Sequence, residues 1–162
     1  MTRASSRLPE LGPRGEGWFA LQLVLMGAVV GTAFTGIYWP GAESGILAVL
    51  GFMAIAAGLL LIAAAALSLG ALVSVFPRPR AGGKLVQTGI YRVVRHPVYG
   101  GVILVALGWS LAESPLGLIP TALLAVFFDL KAKREETWLE ERFADYAGYR
   151  ARTPSRFLPG LY

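Results

Sequence analysis

Two stretches of the 162-residue chain concentrate the side chains able to do chemistry. The first, GIYRVVRHPVYGG from Gly89 to Gly101, gathers Arg92, Arg95 and the only histidine, His96, beside Tyr91 and Tyr99. Pro97 suits the first turn of a helix, where its missing N–H costs nothing. Gly100 and Gly101 then allow a ligand or another helix to approach the backbone. The same residues would also serve as an interfacial anchor, with Arg and Tyr at headgroup level. The second stretch, DLKAKREETWLEERFADYAGYR from Asp129 to Arg150, carries the carboxylate pair Glu135 and Glu136. It lacks proline and has glycine only near its end, which predicts a helix continuing from the apolar run before it. Projected at about 100° per residue, Leu139, Phe143 and Tyr146 form an apolar stripe, with Glu135 on it and Glu136 at its margin. A carboxylate on an apolar face needs a cationic partner, and Lys131, Arg92 and Arg95 are the candidates. Glu140 and Glu141 have basic neighbours and read as a solvated face. From Arg150 to Tyr162 prolines and a glycine exclude a helix, leaving a basic strip with Arg150, Arg152 and Arg156. Each such side chain contributes about 1 kcal/mol of attraction to an anionic membrane surface.

Many other chemistries are excluded. The chain has no cysteine and one histidine, so disulfides, thiolate zinc sites, iron–sulfur clusters and a cysteine nucleophile are ruled out and no metal is expected. Gly82, Gly83 and Lys84 lack the remainder of a phosphate loop, and no GxGxxG, HExxH or GxSxG is present.

The elements that position the two stretches are apolar. Hydrophobic residues make up 55% of the chain and charged ones 15%, against roughly 25% charged in an ordinary soluble domain. With a mean hydropathy of +0.57, much of the surface must face lipid. Four spans can be drawn, each near the roughly 20 residues that cross a bilayer. They run from Trp18 to Tyr38 or Trp39, from Ile46 to Phe76 as one long helix bent near Gly58 or Gly70, from Val98 to Ala112, and from Leu116 to about Phe128. Only Glu113, Ser114 and Pro115 separate the last two, which predicts a tight hairpin. Gly27 and Gly31 form a GxxxG pattern, a weak signal of close helix packing. Basic residues number three before the first span, none before the second, five before the third, none in the hairpin turn and seven after Leu130. Because such residues accumulate on the cytoplasmic side, both termini are expected there, and the net charge of +5 needs no nucleic acid to explain it.

The expected fold is thus an all-α integral membrane protein of four transmembrane helices with a cytoplasmic C-terminal helix and tail. Residues 1–17 form a cytoplasmic segment, 18–76 two transmembrane helices, and 77–162 a catalytic region of loop, helical hairpin and C-terminal helix and tail.

GIYRVVRHPVYGG, an apolar hairpin, EETWLEERFADYAGYR and RTPSRFLP, in that order over residues 85–159, resemble the isoprenylcysteine carboxyl methyltransferase and phospholipid methyltransferase superfamily. Arg95, His96, Pro97 and Tyr99 match its RHPxY element, Glu135 and Glu136 its glutamate pair, and Arg156 its tail arginine. Ile90 stands where the superfamily commonly has proline, and the first two spans show no motif. The resemblance implies a multi-pass enzyme, expected in the bacterial inner membrane, that binds S-adenosylmethionine at the cytoplasmic end of the last two spans. It implies a cofactor site of Tyr91, Arg95, His96, Pro97, Tyr99, Gly101, Glu135 and Glu136, with Glu135 and Arg156 in catalytic roles and Arg156 orienting an anionic headgroup. Such a cofactor carries a carboxylate and an ammonium: Arg95 or His96 can bind the first and Glu135 or Glu136 the second. Tyr91, Tyr99 and Tyr146 offer aromatic surface for adenine or the sulfonium. The expected partners are membrane lipids and a lipophilic acceptor entering from the bilayer, such as a prenylcysteine, phosphatidylethanolamine or a fatty acid.

Two other functions stand beside this one. The C-terminal architecture also resembles membrane sterol reductases, which would make the cofactor NADPH, but the chain is short for that group and lacks a recognisable basic site for the extra phosphate. A small noncatalytic membrane protein or transporter subunit is the other; a transporter predicts charges inside the spans, and none of the four has one.

Overall fold

A computed structural model describes residues 8–9, 11–41, 43–70 and 84–160. The described residues are helical, with no strand. Helix α1 covers Glu16–Gly31 and tightens into a 3-10 turn at Thr32–Thr35; α2 covers Glu43–Leu69, α3 Pro97–Glu113, α4 Leu118–Arg142 and α5 Tyr146–Arg152. Three helical stretches are long and apolar enough to cross a membrane: Glu16–Thr35, Ser44–Leu69 and Pro115–Arg142. The third of the four expected spans is the shorter apolar helix α3, of 17 residues. The long second segment is one unbroken helix through Gly58 that reaches Gly70, whose φ is +53°; its expected continuation to Phe76 lies outside the described residues.

Burial is inverted relative to a soluble domain. Leu60, Leu67, Val24, Phe52 and Ile119 are exposed on the helix flanks, while Lys131, Arg134, Glu136, Ser110 and Thr121 are buried between them. Lipid is as apolar as leucine, so burying apolar area does not drive helices together; close backbone packing and internal polar contacts must. Helices α2 and α3 meet through glycines. A Cβ on Gly58 would lie 2.5 Å from the carbonyl oxygen of Gly101, and one on Gly51 would lie 2.5 Å from that of Gly108. Each pair is seven residues apart in its own helix, and the crossed pairing makes α2 and α3 antiparallel. The GxxxG of α1 is used differently: a Cβ on Gly27 or Gly31 would meet nothing within 4 Å.

The α3–α4 hairpin is as tight as expected. Ser114 is extended, its Oγ donates to the Ile37 carbonyl at 2.6 Å, and Pro115–Gly117 makes one 3-10 turn before α4 starts. Trp39 and Ser110 pin the same end of the bundle, the indole N–H donating to the Ser110 carbonyl at 3.0 Å.

One boundary differs from the sequence expectation. The helix after the last span stops at Arg142; Phe143 is extended (φ −118°, ψ 111°) and a turn leads into α5. No proline or glycine marks this break. Its cause is tertiary: Tyr146 turns back into the protein, 1% exposed, with Tyr149 set edge-on at 5.8 Å. The apolar stripe of Leu139, Phe143 and Tyr146 therefore does not continue along one straight helix.

The glycine contacts predict a contrast. Gly58→Val should force α2 from α3 and cost about 1–3 kcal/mol, read as a lower unfolding midpoint in detergent, whereas Gly27→Val should leave the midpoint unchanged.

Candidate functional site

Hairpin geometry brings the two chemical stretches together. Helix α3 starts at Pro97 and has 17 residues; the same number counted along α4 from Leu118 ends at Arg134, one residue before the glutamate pair. His96 and Glu135 are thus opposed across two antiparallel helices joined by a minimal turn.

Glu136 is the centre of the resulting cluster. Its Oε1 accepts from Arg95 Nε at 3.0 Å, lies 3.1 Å from His96 Nε2 and 3.4 Å from Arg156 Nε. Three basic side chains share one carboxylate oxygen, and the glutamate side chain is 6% exposed. Glu135 stands apart from this. Its Oε2 accepts from the Tyr99 hydroxyl at 2.6 Å and lies 3.7 Å from His96 Nδ1, its Oε1 has no partner among the described residues, and its side chain is 24% exposed. The helical projection is corrected here: Glu136 is the buried member of the pair and Glu135 the accessible one. Helix α4 packs on its neighbours through Lys131, Phe128 and Leu124 as well, which rotates its buried face away from the stripe drawn through Phe143 and Tyr146.

The tail closes the cluster from the other side. Residues 153–157 run along residues 92–96: the Arg95 N–H donates to the Ser155 carbonyl at 3.1 Å and the His96 N–H to the Arg156 carbonyl at 2.8 Å. Arg95 Nη1 donates to the carbonyls of Thr153 and Pro154 at 2.6 and 2.7 Å. Gly100 is required at this crossing, since a Cβ there would collide with the Phe157 carbonyl. Arg156 Nη1 reaches Asp129 Oδ1 at 2.5 Å, and Lys133 pairs with the other oxygen of that carboxylate at 2.6 Å.

Aromatic rings form one wall. His96 and Tyr99 are stacked at 5.4 Å with an interplanar angle of 2°, and Tyr99 stacks on Phe128 at 4.8 Å. Tyr149 donates to the Tyr91 carbonyl at 2.7 Å. Burial raises the Tyr91 and Tyr146 hydroxyls above the usual tyrosine range and pushes Tyr149 up to about 12. All three are therefore neutral donors at physiological pH. The buried hydroxyl of Tyr146 has no hydrogen-bond partner among the described residues. Such a group is costly when left unpaired.

Of the residues expected at the site, Arg95, His96, Tyr99, Glu135, Glu136 and Arg156 converge. Pro97 is buried at the start of α3, and Tyr91 contributes through its carbonyl and ring. Gly101 faces α2, where a Cβ would meet Ile62 and the Gly58 carbonyl; the neighbour it admits is a helix. Asp129, Thr153 and Phe157 also belong to the cluster. Asp129 is visible in the sequence as a charge at a span end and Phe157 places its ring 6.4 Å from that of His96, while Thr153 acts through a backbone carbonyl, which leaves no mark on residue type.

A buried carboxylate holding two guanidinium groups and an imidazole predicts a structural penalty. Glu136→Gln should lower the unfolding midpoint by the equivalent of about 3 kcal/mol or more and expose the tail beyond Arg152 to protease, whereas Glu135→Gln should leave both near the parent values.

The order of these elements is also what comparison with known proteins finds. The family model described as Phospholipid methyltransferase matches residues 46–146, from the start of the second apolar segment through the hairpin and the glutamate pair to Tyr146. That stretch is well over half of the chain and contains Arg95, His96, Tyr99, Glu135 and Glu136. The chain therefore belongs to the phospholipid methyltransferase family, within the superfamily that its motifs resemble.

Proposed function

We propose that the protein transfers a methyl group from S-adenosylmethionine to a lipophilic acceptor at the cytoplasmic membrane face. The observation that carries this reading is a set of groups around Glu136 with no hydrogen-bond partner among the described residues: Oε1 of Glu135, Nη2 of Arg95 and the Tyr146 hydroxyl. An acceptor for an ammonium, a donor for a carboxylate and a neutral hydroxyl are what a zwitterionic amino-acid end requires. Family membership supports the same donor.

When bound, the cofactor supplies an electrophilic methyl on a sulfonium sulfur. Glu135 holds the ammonium and Arg95 the carboxylate. His96 and Glu136 act behind them: His96 keeps both glutamates in place, and Glu136 fixes Arg95. Tyr91, Tyr99 and Tyr146 supply ring faces that favour a cation. Gains come from orientation and from excluding water, and the tail over Arg95 serves the second. Arg156 is a positioning residue in this reading, because Asp129 and Glu136 already oppose its charge. A carboxylate acceptor needs no general base; an amine acceptor must first lose a proton.

Binding in detergent tests the reading. S-adenosylmethionine and S-adenosylhomocysteine should each raise the unfolding midpoint, and Glu135→Gln and His96→Ala should weaken both by about tenfold while the helices stay folded. Stabilisation by NADPH alone would replace the methyltransferase with a reductase.

Membrane orientation has its own test. We propose four crossings with Thr88 and Ala151 inside and Ser44 outside. Because the chain has no cysteine, Ser44→Cys, Thr88→Cys and Ala151→Cys give single labelling sites. A membrane-impermeant maleimide should modify the first in intact spheroplasts and the other two only after lysis; early labelling of Ala151→Cys would overturn the orientation.

A further inference from the structure

Lys131 takes no part in the cofactor site proposed above, yet its side chain is 1% exposed. Its ammonium donates to Gln22 Oε1 on α1 at 2.6 Å and stands 5.0 Å from the ring centre of Tyr99 and 5.8 Å from that of Phe128. An ammonium has three N–H donors. The amide oxygen takes one; the rings attract the charge but accept no strong hydrogen bond. Among the described residues, no carboxylate lies within 4.0 Å of Lys131 Nζ. Several other cations of the region make direct ion pairs: Arg95 with Glu136, Arg156 and Lys133 with Asp129, Arg150 with Glu140. The nearest turn of α4 offers Glu135, which attracts the ammonium from beyond ion-pair distance while accepting from the Tyr99 hydroxyl.

A buried cation without a direct ion pair is unfavourable, so the site suits an anion beyond those that the described residues supply. Its position says which kind. Lys131 precedes Glu135 by one turn, about 6 Å deeper along α4, and Tyr99 stands between them, one ring face toward the ammonium and its hydroxyl on Glu135. Gln22 is only partly buried at the seam of α1 and α4 and is flanked by exposed Leu21 and Leu23. An approach to Lys131 along that seam comes from the apolar flank of the bundle.

We propose that Lys131 is the anion site for the acceptor, holding a carboxylate or phosphate group at the head of an apolar chain that enters between α1 and α4, with Gln22 as the resident partner it displaces. The acceptor role of the bound molecule rests on the methyltransferase reading; the binding itself does not.

The full chain in dodecyl maltoside can be titrated with laurate, dodecyl phosphate and dodecanol while the unfolding midpoint is followed. Laurate or dodecyl phosphate should stabilise it saturably, the tighter of the two naming the anion class, and dodecanol should not. Lys131→Met should weaken that binding by about tenfold or more, with S-adenosylhomocysteine affinity changed by less than about threefold. Gln22→Glu places a carboxylate against the ammonium, so it should abolish amphiphile binding while keeping or raising the midpoint; a merely structural lysine would not produce that pair of effects, and this variant decides the matter if Lys131→Met does not fold. Absence of anion-dependent stabilisation in the parent protein, or unchanged binding in Gln22→Glu, overturns the proposal. Loss of S-adenosylhomocysteine binding in the parent with laurate binding intact would remove the cofactor reading and leave the anion site standing.

Discussion

Glu136 Oε1 is one atom on which three separate parts of the chain depend. Arg95 comes from the loop before α3, His96 from the cap of that helix and Arg156 from the tail, and each reaches the same oxygen. In a medium that offers no water to the helix flanks, these cations would otherwise be buried without compensation. The carboxylate therefore fixes the register of α3 against α4, the path of residues 153–157 and the direction of the Arg95 fork together. Glu135 gains from this arrangement without sharing in it: its neighbour neutralises the local cations, so its own outer oxygen stays available.

The division between two adjacent glutamates follows from helix geometry and environment. Consecutive residues on a helix are about 100° apart, so a pair at an interface directs one side chain inward and the other along the margin. Here the inner carboxylate meets cations and the marginal one meets a phenol. Chemically identical groups thereby acquire different surroundings, one buried among basic side chains and one partly exposed.

Much of this was legible in the residues. Uncharged runs gave the helices, Glu113–Ser114–Pro115 gave the hairpin, and the hairpin's length alone sets the RHP element opposite the glutamate pair. What escaped was information that side-chain type does not carry. Gly51, Gly58, Gly101 and Gly108 have a period of seven that pairs two helices, yet the more conspicuous GxxxG at Gly27 and Gly31 meets open space. The end of α4 at Arg142 is imposed by Tyr146 packing back into the protein, against a local sequence that favours continuing. The choice between Glu135 and Glu136 depended on the rotation of α4, which Lys131 and Phe128 help set from the other side. Lys131 itself looked like a surface partner for Glu135, because only the reach of Gln22 from α1 reveals it as interior.

The path of residues 153–157 also orders events in time. A ribosome releases this chain from its N-terminal end, so α3 and α4 can meet and Arg95 can find Glu136 before the tail has emerged. The carbonyls of Thr153 and Pro154, the Arg156 guanidinium and the Phe157 backbone that rests on Gly100 are made later than either helix. Until then the Arg95 fork lacks two of its acceptors and the mouth of the cluster is open to water. The helices can thus associate before residues 153–157 cover Arg95 and supply its last acceptors.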